Sequence, residues 1–151
     1  MTELLVWTEP VQDEWIDYNG HLSEPYYVLV FGHATDAVMA HVGLGPEHRA
    51  SANASLFTVE AHVRYLDQVP AGVDLQVRSA VIGASRKLLR IWHELWVDET
   101  LRATEEVLGA HVDTAAGRSS PFPADIARRI AAAVVPAPEG AGAAIGLGQR
   151  D

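Results

Sequence analysis

The chain has 151 residues, 48% of them apolar, and carries a formal net charge of −9, with 11 Lys and Arg against 20 Asp and Glu. That length and composition fit one domain with its own hydrophobic core and exclude a disordered chain. The lack of cysteine excludes disulfides, thiolate metal sites and a cysteine nucleophile, while the acidic balance argues against nonspecific nucleic-acid binding and mildly favours a cationic ligand.

Residues 4–12 read as a first strand, closed by the acidic pair Asp13-Glu14. Residues 15–23 form a turn rich in Asp, Asn, Gly and Ser. A helix begins near Pro25, where a missing N–H costs nothing, with Ser23 or Glu24 as its cap. Tyr27, Val30, Phe31, Ala34, Ala37, Val38 and Val42 follow helical spacing up to Gly43, and the breadth of that apolar surface predicts a largely buried helix. Residues 44–55 read as a loop.

Four alternating segments follow, over residues 56–69, 73–83, 88–97 and 101–114. The first sets Phe57, Val59, Ala61, Val63 and Tyr65 on one face and Thr58, Glu60, His62 and Arg64 on the other; the last ends with Leu108, Ala110 and Val112 in register. The connectors carry turn signals (Pro70-Ala71-Gly72, Gly83-Ala84-Ser85, Asp98-Glu99), and their shortness implies antiparallel hairpins. In the third segment Trp92 and Trp96 lie opposite the apolar face, which suggests a covered surface and an oligomer contact. Residues 124–134 read as a short C-terminal helix within a single domain spanning 1–134. Residues 135–151, rich in Ala, Gly and Pro, read as a mobile tail. No basic segment followed by an apolar stretch opens the chain, and no apolar run approaches a membrane span, so the expectation is a soluble cytoplasmic protein without a membrane partner. The order strand, long helix, four strands predicts an α+β fold in which an antiparallel sheet wraps one helix.

The chemistry concentrates in Asp17-Tyr18-Asn19-Gly20-His21, just ahead of the helix. A carboxylate there could attack a carbonyl or take a proton from water, and free helix N–H groups could hold an oxyanion. The plainer role is a turn residue whose carboxylate caps a neighbouring N–H. Pro25 has no N–H, so donors would come from Glu24, Tyr26 or Tyr27. His21 could orient Asp17 or a water. The remaining histidines show no metal-ligand spacing, which argues against a metal site.

With Asp17, Gly20 and Tyr27 spaced in this way before the helix, the chain resembles the hotdog-fold acyl-CoA thioesterases of the 4-hydroxybenzoyl-CoA thioesterase type. Where the common motif continues His-Val-Asn-Asn, this chain has His21-Leu22-Ser23-Glu24. Residues 15–21, 31–37 and 57–64 further resemble the thioesterases associated with carnitine dehydrogenases. The resemblance implies hydrolysis of betainyl-CoA to glycine betaine and CoA. It also implies Asp17 as the catalytic carboxylate, the Glu24 amide as oxyanion donor, no resident cofactor, and a homo-oligomer (a dimer or a tetramer) with sites at the subunit boundary.

A trimethylammonium group has no hydrogen to donate and is held by aromatic faces and a carboxylate. Trp7, Trp15, Tyr18, Tyr26 and Tyr27 crowd the motif as candidate walls, with Glu24 or Glu60 as candidate counter-ion. Arg86 and Lys87, in the turn between the second and third of the four strands, and Arg64 are candidates for contacts with the CoA moiety. A thioesterase for another short-chain or aromatic acyl-CoA, a dehydratase using His33 or His41 with Asp36, and a non-catalytic CoA-binding module are the competing readings.

Overall fold

A computed structural model describes residues 5–147, so Leu4 and residues 148–151 of the expected tail lie outside the described residues. The elements in chain order are β1 Leu5–Pro10, α1 Glu24–Val42, α2 Pro46–Ala52, β2 Ala54–Tyr65, β3 Asp74–Ala84, β4 Leu88–Val97, β5 Thr100–Asp113, β6 Arg118–Ser119 and α3 Ala124–Ala133. The strands form one antiparallel sheet in the order β1-β3-β4-β5-β2, with the two-residue β6 on β5. Helix α1 lies on one face, so the expected α+β hotdog arrangement is what the chain adopts.

Val30, Phe31 and Ala34 of α1 pack on Leu75, Val77, Leu95 and Ala103 at one end of the sheet. Val38, Met39 and Val42 pack with Val81, Leu89, Ile91 and Val107 at the other, where Ile126 and Ile130 of α3 close the core. Residues one helical turn apart thus feed adjacent strands, and it is burial of this stripe that fixes the helix. Gly43 ends α1 in the left-handed conformation, and the Leu44 amide returns to the Met39 carbonyl at 2.7 Å.

The structure corrects several expectations. Residues 44–55 contain α2; the Gly45-Pro46 pair that reads as loop punctuation is instead a helix start with proline in the first turn. Strands β2 and β3 are not a hairpin: β2 pairs with β5, and the intervening segment crosses from the far edge of the sheet. That crossover passes the start of α1 and is tied at each step. The Leu66 and Asp67 amides donate to the Arg102 carbonyl, Leu22 donates to Val69, and Val11 to Val73. In β2 a bulge at Val59 resets the alternation. Thr58 and Ala61 line one cavity on the helix side, whereas Phe57 stands opposite Ala110, on the outer face with Leu108 and Val112.

Helix α1 is not buried all round. Val28 and Leu29 are 44% and 42% exposed and look over β2 and β5. Trp92 is covered from within the chain rather than awaiting a second copy. Val135, Pro136 and Pro138 of the expected tail line a small hollow together with it, Gly140 comes close to its ring, the Val135 amide donates to the Val81 carbonyl, and the Gly142 amide donates to both carboxylate oxygens of Glu106 at 2.7 and 2.9 Å. Proline suits this edge because it presents apolar surface without an unpaired N–H. No single helix among the described residues is long and apolar enough to cross a membrane.

Candidate active site

Asp17 opens a turn closed by the Gly20 amide on its carbonyl at 3.0 Å, and its own amide donates to the His21 carbonyl at 2.9 Å. The turn needs a positive φ at its last position, and Gly20 supplies it at +81°. Asp17 Oδ1 accepts the Asn19 amide at 2.8 Å and the His21 amide at 3.4 Å. The structural role of this aspartate is therefore real, but it occupies one oxygen only. Among the described residues nothing hydrogen-bonds Oδ2. The side chain borders a cleft of about 650 Å³ with Asn19, His21, Glu24, Tyr27, Tyr65 and Gln68. The turn is anchored by bridges from Ile16 to Leu22 and from His21 to Pro70, so the crossover that separates β2 from β3 is also the wall that holds the carboxylate in place.

The start of α1 faces the same cleft. Ser23 donates to the Trp15 carbonyl, the Tyr26 amide is taken by the Ser23 carbonyl at 3.1 Å, and Pro25 has no N–H. The Glu24 amide is left without an acceptor among the described residues. With the Tyr26 amide taken, the Glu24 amide is the donor at the first position of the helix, and the partial positive charge of the helix end adds to it.

The aromatic residues around the motif divide. Trp15 is buried and stacks on Tyr26 at 5.5 Å, and Trp7 donates to Glu9, whose carboxylate also meets His33 Nδ1 at 2.6 Å. The helix histidine is thus paired with β1 rather than with Asp36. Tyr18 is 97% exposed. Tyr27 is buried and meets Tyr65 edge to face, and these two rings form the wall of the cleft. Glu60, on the outer face of β2, borders a separate hollow with His62, Arg90 and Glu106.

Between α1 and the β5–β2 side of the sheet lies a second cavity, of about 640 Å³, lined by Pro25, Val28, Leu29, Asp36, Ala61, Val107 and Glu105 among others. Glu105 is only 4% exposed, and burial pushes its carboxyl up to about 7. Sequence reasoning passed over it. On β5 it sits between Ala103 and Val107 on the core side, a charged residue among apolar ones that the strand register with His93 picks out. Its cross-strand neighbour His93 is fully buried, between Ser79 Oγ at Nδ1 (2.6 Å) and Thr35 Oγ1 at Nε2 (2.8 Å). Because the Thr35 hydroxyl donates to the Phe31 carbonyl, His93 Nε2 must donate to Thr35, and Nδ1 accepts from Ser79. This neutral ring is spent on structure.

Arg86 and Lys87 sit in the β3–β4 turn beside β6 and the start of α3, at the end of the sheet opposite Asp17. Arg64 lies near Asp17's end but on the outer face, beside Gly140. No group of three or more His, Cys, Asp or Glu converges among the described residues in a way that could hold a metal.

Residues 11–130 match the profile of the thioesterase-like superfamily. The chain is 41% identical to the betainyl-CoA thioesterase of Pseudomonas aeruginosa over 95% of both proteins. It is 40% identical, over 80% of its length, to the L-carnitine dehydrogenase/betainyl-CoA thioesterase of Agrobacterium fabrum, and spans 25% of that longer protein. Among solved structures, a Staphylococcus aureus protein in complex with CoA superposes with a TM-score of 0.88 at 27% identity, over 97% of this chain and 96% of that one. A Pseudomonas putida protein assigned as a thioesterase superposes with a TM-score of 0.83 at 33% identity, over 97% and 99%. Sequence and fold agree along nearly the whole chain, and the chain belongs to the thioesterase-like superfamily of hotdog proteins.

Proposed function

We propose that the protein hydrolyses acyl-CoA thioesters and that its substrate is betainyl-CoA, cleaved in the cytoplasm to glycine betaine and CoA as a step in carnitine breakdown. The observation that carries the hydrolase reading is the pairing of two unfilled groups on one cleft: the Oδ2 of Asp17 and the amide of Glu24 at the start of α1. The thioester carbonyl oxygen takes the Glu24 amide, where the charge of the tetrahedral intermediate is stabilised. Asp17 either adds to the carbonyl carbon, giving an anhydride that water then opens, or accepts the proton of an attacking water. In both routes the C–S bond breaks, CoA leaves as its thiol, and one water is consumed. Carboxylate, amide and water suffice for this chemistry, so no cofactor is invoked. His21 and the Tyr27–Tyr65 wall position the substrate. The betainyl assignment is supported by the relatives named for that substrate, several of which carry the thioesterase beside an L-carnitine dehydrogenase.

The working unit is a homodimer joined through β2. That strand is 12 residues long, pairs on one side only among the described residues, and exposes Phe57 and Val59, an edge that invites a second strand. Two-fold pairing of β2 with its copy sets the Arg86–Lys87 turn of one subunit toward the Asp17 end of the other. These cations, remote from the cleft within one chain, then become available to CoA phosphates. A screen of acyl-CoA thioesters, read by release of the CoA thiol, tests the reading: fastest turnover of betainyl-CoA is expected, and CoA binding without thiol release from any thioester would overturn it.

A further inference from the structure

We infer that Glu105 is the counter-ion for a quaternary ammonium on the acyl group, and that the cavity between α1 and β5 is the subsite that selects a small, permanently cationic acyl chain. The inference rests on the thioesterase reading above and names its specificity residue. Glu105 is a carboxyl side chain, 96% withdrawn from solvent by its 4% exposure, that borders a cavity of about 640 Å³. No described residue hydrogen-bonds or ion-pairs with it, and burial alone accounts for its raised pKa. A buried carboxyl without a partner costs stability, and its retention calls for a ligand that supplies the missing charge.

The kind of cation follows from the walls. Val28, Leu29, Ala61 and Val107 give the cavity aliphatic walls; of the polar residues that also border it, Thr35 Oγ1 is spent on Phe31 and His93, His33 meets Glu9, and Asp36 and Thr58 are exposed. Such walls favour a cation that needs no acceptor beyond the buried carboxyl. A trimethylammonium has no N–H, and spreads its charge over methyl groups that pack on such walls while the carboxylate neutralises them. Position agrees with a short acyl group. In a betainyl thioester one methylene separates the nitrogen from the carbonyl carbon, so the counter-ion must lie just inside the oxyanion site. The cavity begins at Pro25, next to the Glu24 amide, and Tyr65 lies within electrostatic reach of both Glu24 and Glu105. The carboxylates proposed from sequence are placed less well: Glu60 is on the other face of the sheet, and Glu24 is exposed. Asp36, on the same cavity, is exposed.

The test compares betainyl-CoA with 3,3-dimethylbutanoyl-CoA, which replaces the charged nitrogen by carbon and keeps the shape. The readout is the ratio of kcat/KM for the two thioesters in wild type, Glu105→Gln, Glu105→Asp and Asp36→Asn, with Tm as the check on folding. Wild type is expected to favour the cation, and Glu105→Gln to cut that preference by about 30-fold or more, with Glu105→Asp losing part of it. A preference within threefold of wild type in Glu105→Gln, whether both rates fall together or neither does, overturns the assignment. So does a preference lost in Asp36→Asn and kept in Glu105→Gln. If the Gln variant does not fold, Glu105→Asp decides alone: an unchanged ratio overturns the role and a ratio reduced threefold or more supports it. A wild type that cleaves the neutral thioester but not betainyl-CoA removes the substrate assignment and the subsite together, an outcome distinct from loss of the Glu105 role alone.

Discussion

Tyr27 and Tyr65 meet edge to face, 5.0 Å between centroids and 86° between planes, on the wall of the Asp17 cleft. Burial raises the pKa of both phenols; the Asp17 carboxylate adds to the effect at Tyr27, and Glu24 and Glu105 add to it at Tyr65. On the proposed reading, the pair stands beside the reacting carbonyl, within electrostatic reach of Asp17 on one side and of Glu24 and Glu105 on the other. An edge-to-face contact is worth about 0.5–1.5 kcal/mol beyond area burial. Tyr65→Leu is therefore expected to lower kcat/KM for betainyl-CoA by about 2- to 10-fold with little change in Tm, since Tyr65 is partly exposed, while Tyr65→Phe keeps the ring and most of the rate. Equal losses in the two variants would assign the effect to the hydroxyl instead.

Asp17→Asn removes the charge and keeps a side-chain oxygen for the Asn19 amide. The turn should survive, because Oδ1 accepts only backbone N–H groups. A drop in kcat of about 10²–10⁴-fold is expected, with the affinity for a non-hydrolysed CoA thioether kept near that of wild type. Binding is measured by calorimetry and turnover by thiol release. A wild-type rate in a folded variant would move the chemistry elsewhere.

Much of this was legible before the fold. The helix of residues 24–42 announced itself through its 3.6-residue stripe and its Pro25 and Gly43 ends, and Asp17 through its glycine turn, because both are set by local geometry. The features that escaped are set by distant partners. The connector after β2 looks like a hairpin, and nothing in Pro70-Ala71-Gly72 says that β5 will claim the strand. The bulge at Val59 turns Phe57 outward, and strict alternation cannot see a one-residue insertion. Trp92 and Trp96 looked like an interface since the Ala/Gly/Pro segment that covers Trp92 has no periodicity of its own. Glu105 sat in plain view within Thr104-Glu105-Glu106, but only the register with Val63 and His93 turns it inward rather than its neighbour.

The β2 edge predicts the assembly. Val59→Lys places a charge beside Phe57 in the exposed apolar part of that strand, a substitution that opposes edge-to-edge pairing. If the proposed β2-edge dimer forms, light scattering should show half the wild-type mass in this variant, and activity should fall with it because the Arg86–Lys87 turn would be withdrawn from the partner's cleft. A variant that keeps both the mass and the rate would place the subunit contact elsewhere.

His93 and Glu105 face each other across β4 and β5 and bend the stability profile in opposite senses. Burial holds His93 down to about 3 from 6.5, so the unfolded chain binds more protons there, and its contribution is complete above pH 6.5 and lost as pH falls toward 3. Burial holds Glu105 up to about 7 from 4.5, so the folded chain binds more protons there, and its contribution is complete below 4.5 and lost as pH rises to 7. Each slope is about 1.4 kcal/mol per pH unit. From pH 4.5 to 6.5 the two cancel and chemical denaturation should give a nearly flat plateau. Glu105→Gln removes one slope, so stability in that variant should rise with pH over the same window. A flat profile in the variant would mean that His93 is not neutral in the folded protein.

Removing residues 135–151 tests whether the C-terminal segment is part of the domain. Trp92 is 8% exposed with the segment in place, beside Val135, Pro136 and Pro138, and its Nε1 donates to Glu94. Without the segment one face of the indole meets water, and burial of that order is worth about 2 kcal/mol, a fall in Tm of about 4–8 °C for a domain of this size. The tryptophan emission should shift to the red at the same time. Glu106→Ala cuts the anchor at Gly142 and the pair with Arg90 while leaving the segment in the chain, and should give a smaller change in the same direction. Turnover should change less than stability in both, because Trp92 lies on the face of the sheet turned away from α1 and Asp17. Unaltered emission and Tm after truncation would show that these residues add nothing to the fold.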